Sequence, residues 1–151
     1  MMQIKSDQNI FNLEALSLAI SLLILCILIH ALFVFFVANR GRKEIVPAAE
    51  AGLTMKAHMF FIAYMLILLI SHICQIFIWG VTIYIFDVIQ NPHVAMVYAG
   101  STYTTVGFMS DPIPNKWQLL SVFMAISGLF TFGWSTSIMF ALSQTLLRVQ
   151  K

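Results

Sequence analysis

Three stretches of this chain run for about 25 residues or more without a charged side chain, and that spacing constrains the fold more than any other feature. They extend from Ala15 to Asn39, from Ala57 to Phe86 and from Trp117 to Leu147. At 1.5 Å per residue, a helix of about 20 residues crosses a hydrocarbon core roughly 30 Å thick. Each stretch is therefore expected to be a transmembrane helix, the first ending near Ala38, the other two long enough to tilt. With 60% hydrophobic and 9% charged residues, the chain fits neither an ordinary soluble domain nor a disordered segment. Its net charge of +2 is scattered, which leaves no footprint for nucleic acid. The expected class is an all-α integral membrane protein.

The first apolar run ends in Phe33, Val34, Phe35 and Phe36, too long and too bulky for a cleaved signal peptide, so it is read as retained. Basic residues mark cytoplasmic loops. Arg40, Arg42, Lys43 and Lys56 follow the first span, and Arg148 and Lys151 follow the third. Both segments are assigned to the inside, with the N-terminus (Lys5, Asp7, Glu14) and the segment Asp87 to Lys116 outside a plasma (cell inner) membrane. The stretch from Glu44 to Lys56, with Pro47, reads as a linker or a short helix on the inner surface.

Asp87 to Lys116 is broken by Pro92, Pro112 and Pro114, and its apolar part is too short to cross a bilayer, so it should re-enter or lie at the surface. Asn91-Pro92 is a helix start: asparagine caps free N–H groups, and proline at the first position lacks the N–H that would be unpaired anyway. A half-helix from Pro92 to about Tyr103 would enter from outside and aim its negative dipole end at the membrane centre, favouring a cation there. Thr104, Thr105, Val106, Gly107 and Phe108 follow. Gly107 can take the left-handed conformations that turn carbonyls to one side, and non-helical backbone at membrane depth must line a cavity or be buried in protein.

This run resembles the filter of the potassium-channel pore-loop superfamily, which reads Thr-Val-Gly-Tyr-Gly or Thr-Val-Gly-Phe-Gly. Thr102 stands upstream as in many such pore helices, Pro114 and Trp117 stand where the family turns into its inner helix, and Ser127-Gly128 with Phe132-Gly133 resembles that helix's glycine-containing stretch. The resemblance covers about Ala57 to Gln144. It implies an outer helix, a re-entrant half-helix, a filter loop and an inner helix; the first span is extra to that two-helix plan, so with the charge pattern the expected fold is three transmembrane helices with the half-helix and filter loop between the second and third. The implied division is 1–56 for the N-terminal segment, first span and inner loop, 57–147 for the channel domain, and 148–151 for the tail. Ion-binding positions would be Thr104, Thr105, Val106, Gly107, Phe108 and Met109, with K⁺ or Na⁺ as transported ion, four copies forming a homotetramer in membrane lipid, and Gly128 and Gly133 as candidate hinges. Met109 replaces the family's second filter glycine, and the usual acidic residue is displaced to Asp111 by Ser110. Because a side chain disfavours positive φ, the outermost carbonyl ring is expected to be turned away or reshaped.

No span carries an arginine ladder, so no voltage sensor of the usual kind is expected. Cys26 and His30 share a helix face at i, i+4, while His72 and Cys74 lie two residues apart in the second span. A metal or haem site is conceivable from these, but hydrogen bonds between helices are the plainer expectation. No Ser–His–Asp set or paired carboxylate suggests an enzyme, and no cofactor is expected. Two function classes result: a potassium or weakly selective monovalent-cation channel, and a non-conducting subunit of the same fold within a larger membrane complex, beside an unidentified partner protein.

Overall fold

The structure, a computed structural model, describes residues 13–109 and 113–149. Ser110, Asp111, Lys5, Asp7 and Lys151, which figure in the sequence expectations, lie outside the described residues. The chain forms α1 (Leu13–Glu50), α2 (Thr54–Ile85), α3 (Pro92–Tyr103) and α4 (Gln118–Val149), with one 3₁₀ turn at Asn115–Trp117 leading into α4. No strand occurs among the described residues. Three helices, α1, α2 and the Asn115–Arg148 stretch, are long and apolar enough to cross a membrane.

The distribution of side chains suits lipid. Leu28, Phe35, Met59, Phe77 and Leu129 face outward, while Ser71, His72, Gln75, Ser127, Thr131 and Ser135 are buried. Polar side chains that sit inside a membrane bundle do so because their partners are there, not in the hydrocarbon.

Two boundaries carry distinct chemistry. α1 does not end near Ala38 but continues through Pro47 to Glu50, so the expected linker or separate surface helix is the last part of one helix. Proline removes a single helix bond, and this loss is offset by packing: Ile45, Ala48 and Ala49 are buried with Ala57, Tyr64, Leu68, Leu142 and Leu146. Glu44 also accepts a hydrogen bond from the Tyr64 hydroxyl. α1 then stops in a Schellman turn, with Leu53 N–H bonded to the Ala48 carbonyl and Gly52 N–H to that of Ala49, and Gly52 at φ 74°. The end of α2 repeats the motif with Asp87 at φ 54° and Val88 N–H on the Ile83 carbonyl.

α1 packs along both α2 and α4, more extensively than those two pack on each other, and α3 rests against α2 and α4. Ala15, Ala19 and Cys26 of α1 share a core with Trp79, Ala95, Tyr103, Leu120 and Met124. A second core joins the later half of α1 to the start of α2 and the end of α4. Between the two cores, all three long helices place their buried polar residues: His30 on α1, Ser71, His72 and Gln75 on α2, Ser127, Thr131 and Ser135 on α4.

Candidate functional site

α3 begins as its sequence requires. Asn91 sits in extended backbone ahead of Pro92, and its side-chain oxygen accepts from His93 N–H at 3.0 Å and Val94 N–H at 3.2 Å. The helix ends at Tyr103, whose hydroxyl bonds His72 of α2 at 2.9 Å and Thr131 of α4 at 2.8 Å. Since His72 and Thr131 lie near the middle of their helices, α3 terminates at the middle of the bundle.

The chain beyond α3 folds back on the helix end. Thr104 N–H bonds the Gly100 carbonyl, Thr105 N–H that of Thr102 and Gly107 N–H that of Ser101, each at 3.0 Å. These bonds satisfy the orphan acceptors of the last turn. They also fix a direction, because in a trans peptide the C=O points opposite to the N–H it shares a plane with. With no cis bond among the described residues, the carbonyls of Thr104 and Val106 are turned away from α3. The backbone alternates in hand: φ is −82° at Thr104, +60° at Thr105 and +63° at Gly107. Alternation of right- and left-handed residues is the geometry that brings successive peptide groups of one kind to one side.

Glycine explains the turn at Gly107, but Thr105 is β-branched, and a β-branched residue at positive φ is an outlier. Such conformations cost of order 1–3 kcal/mol and cluster at functional sites. Among the described residues, Asp87 and Thr105 are the only non-glycines with positive φ, so Met109 keeps an ordinary backbone. Its side chain is half-buried and packs against the core that contains Tyr98, Ile113 and Trp117. Thr104 to Phe108 are exposed, with Val106 at 66% and Phe108 at 65%.

The other sequence-selected residues fall in different surroundings. A Cβ on Gly128 would overlap the Tyr103 carbonyl oxygen, so α4 passes directly behind the end of α3. Gly133 is open, with nothing near the position of a Cβ. Cys26 is buried, Cys74 is exposed and both are free. Among the described residues, no three metal-ligating side chains converge.

His30 and His72 come together, with ring centroids 5.0 Å apart. Their Nε2 atoms each lie 3.1 Å from the Ser135 hydroxyl. His30 Nδ1 lies 2.8 Å from Ser71 Oγ and 3.2 Å from Gln75 Nε2. His72 also stacks on Phe132 at 4.1 Å. Tyr103, Ser71, Gln75, Thr131 and Ser135 were not singled out by the sequence; their one signal is a polar side chain within an uncharged run. No family model matches this chain, and neither a curated protein nor a solved structure is detectably similar to it.

Proposed function

We propose that the chain is a subunit of a cation channel, passing K⁺ or monovalent cations with weak selectivity through a filter made by the Thr104–Met109 segments of four copies around one axis. The observation that supports this reading best is the handed alternation at Thr104, Thr105 and Gly107 with the Thr104 and Val106 carbonyls turned outward. Carbonyls so aimed replace an ion's hydration shell. Among the described residues no backbone hydrogen bond reaches the carbonyl of Thr104 or Val106, and Thr105 holds its strained φ in the same segment. The negative dipole end of α3 adds attraction for a cation at the same place. On this reading α3 is a re-entrant half-helix entered from outside, and α4 lines the inner pore.

The test is K⁺ flux in proteoliposomes. Wild-type protein should conduct, and Gly107→Ala, which forces a methyl group into a left-handed position, should not. One observation favours the second reading, a non-conducting subunit: Met109 keeps negative φ and is anchored in the core, so the outermost ring differs from a two-glycine filter. Absence of flux from folded tetrameric wild-type protein selects that reading.

A further inference from the structure

We propose that the polar side chains between the two cores form one hydrogen-bond chain with a single direction, and that this chain positions the filter backbone by holding Tyr103. The positioning half of the inference rests on the filter reading above; the direction of the chain does not.

The direction follows from donor and acceptor chemistry alone. Gln75 Nε2 lies 3.3 Å from the Ser71 carbonyl oxygen. A carbonyl only accepts, so the amide NH₂ must face it, and the same NH₂ lies against His30 Nδ1. His30 Nδ1 therefore accepts. A neutral His30 then carries its hydrogen on Nε2 and donates it to Ser135 Oγ. Having accepted there, the Ser135 hydroxyl gives its one hydrogen to His72 Nε2. His72 is thus the opposite tautomer, protonated on Nδ1, and donates to the Tyr103 oxygen. Tyr103 donates to Thr131, and Thr131 donates to the carbonyls of Ser127 at 2.8 Å and Gly128 at 3.2 Å.

Backbone carbonyls close both ends, at Ser71 and at Ser127 and Gly128. Reversal would set Thr131 against acceptors with no hydrogen to give and would turn the Gln75 oxygen onto the Ser71 carbonyl. This direction gives every link from His30 to Thr131 one hydrogen and one acceptor and uses a side chain from each of the four helices; at its start the Ser71 hydroxyl, 2.8 Å from His30 Nδ1, and the Gln75 amide, 3.2 Å from it, share the same ring lone pair. Gln75 Oε1 is buried without a partner among the described residues, so the chain is satisfied along its links but not at that atom; a buried network specifies its geometry through the links that are made.

Tyr103 is where this order meets the filter. Its side chain is fully buried, its hydroxyl is held from α2 and α4, and its carbonyl lies against Gly128. The next residue is Thr104. The filter segment therefore departs from a residue fixed at both its hydroxyl and its carbonyl. His30 acts at one remove, since α1 holds Ser135, which orients His72. His30, Ser135 and His72 are positioning residues.

The experiment is nitrogen-15 magnetic resonance of the full chain, labelled at histidine, threonine and valine, in lipid bilayers. His30 should appear as the neutral Nε2–H form and His72 as the neutral Nδ1–H form, the minor tautomer of a free histidine side chain in water. Ser135→Ala removes the middle link: His72 should lose its pure Nδ1–H signature, and the backbone signals of Thr104, Thr105 and Val106 should move, although Ser135 is far from them in sequence. Ser135→Thr, which keeps the hydroxyl, should preserve both. If Ser135→Ala does not fold, Tyr103→Phe asks the same question, because His72 Nδ1–H then has no acceptor and its signature should become mixed. An Nε2–H or doubly protonated His72 in the wild type overturns the direction. A wild-type Thr104–Val106 signal pattern in folded Ser135→Ala overturns the positioning role. Failure of the channel reading shows separately, as absent K⁺ flux with the histidine signatures unchanged.

Discussion

Thr105 holds the conformation that its side chain opposes, and its two neighbours show why. Gly107 takes positive φ at little cost, but the alternation needs a second left-handed residue two places earlier, and there the chain has threonine at +60°. The glycine was legible in the sequence because glycine signals a backbone need. The strain at Thr105 was not, because nothing in a threonine announces positive φ; it accompanies the return bonds from Thr105 to Thr102 and from Gly107 to Ser101. Met109 shows the converse. Its ordinary backbone follows from the Cβ, as the sequence suggests, but its packing against the core of Tyr98 and Trp117 depends on where α3 and α4 meet. On the channel reading, Met109→Gly should raise the K⁺ over Na⁺ permeability ratio measured in planar bilayers, because glycine removes a penalty of about 1–2 kcal/mol on the conformation that turns the last carbonyl inward. An unchanged ratio would mean that the core anchor, not the backbone preference, sets the outermost ring.

At the scale of elements, α3 is the part most completely written in the sequence. Asn91, Pro92 and the bonds to His93 and Val94 give its start, and the spacing to Thr104 gives its end. Asn91→Ala should lower stability by about 1 kcal/mol, read as a lower midpoint in thermal unfolding in detergent, with the oligomer unchanged. α1 was less legible: Pro47 looks like a stop, and the helix passes it because Ile45, Ala48 and Ala49 have apolar partners on α2 and α4. Those partners are far away in sequence, so no local reading finds them. The meeting of α3 and α4 gives a sharper prediction. Gly128→Ala should destabilise by about 1–3 kcal/mol, the range for overfilling a packed site, because the new methyl group meets backbone at Tyr103 and not a flexible side chain. The same substitution at Gly133, which faces open space, should cost far less; equal melting of the two variants would contradict the packing.

For the whole molecule, three apolar runs fixed the number of long helices, but they could not show that α1 is the helix on which α2 and α4 both lean. Nor could they show that His30, His72, Ser135 and Tyr103, drawn from four helices, share one polar layer. Periodicity reports faces, whereas this layer depends on the rotation of each helix about its own axis. On the channel reading, the outward-turned carbonyls lie at membrane depth, where each costs several kcal/mol when unsatisfied, so that reading expects a closed ring of four. Mass measurement in nanodiscs should give a tetramer; monomers alone would count against it. If basic residues mark the cytoplasmic side, Arg40, Arg42, Lys43 and Lys56 assign the α1–α2 turn to the inside. Cysteines introduced at Ser6 and Gln150 should therefore label from opposite sides, Ser6 from outside, and labelling of Ser6 from the cytoplasm would overturn the orientation.

The bond between His30 and Ser135 joins residues 105 positions apart, and that distance has a meaning during synthesis. A ribosome adds roughly 5–20 residues per second, so His30 waits on the order of 5–20 seconds for the hydroxyl that receives its hydrogen. Ser71, 41 positions on, arrives sooner and gives the imidazole its first partner. Until α4 is inserted, neither imidazole has the Ser135 hydroxyl that lies 3.1 Å from its Nε2 atom; Tyr103 of α3 reaches His72 first, and α4 is the helix that makes the earlier ones comfortable in lipid.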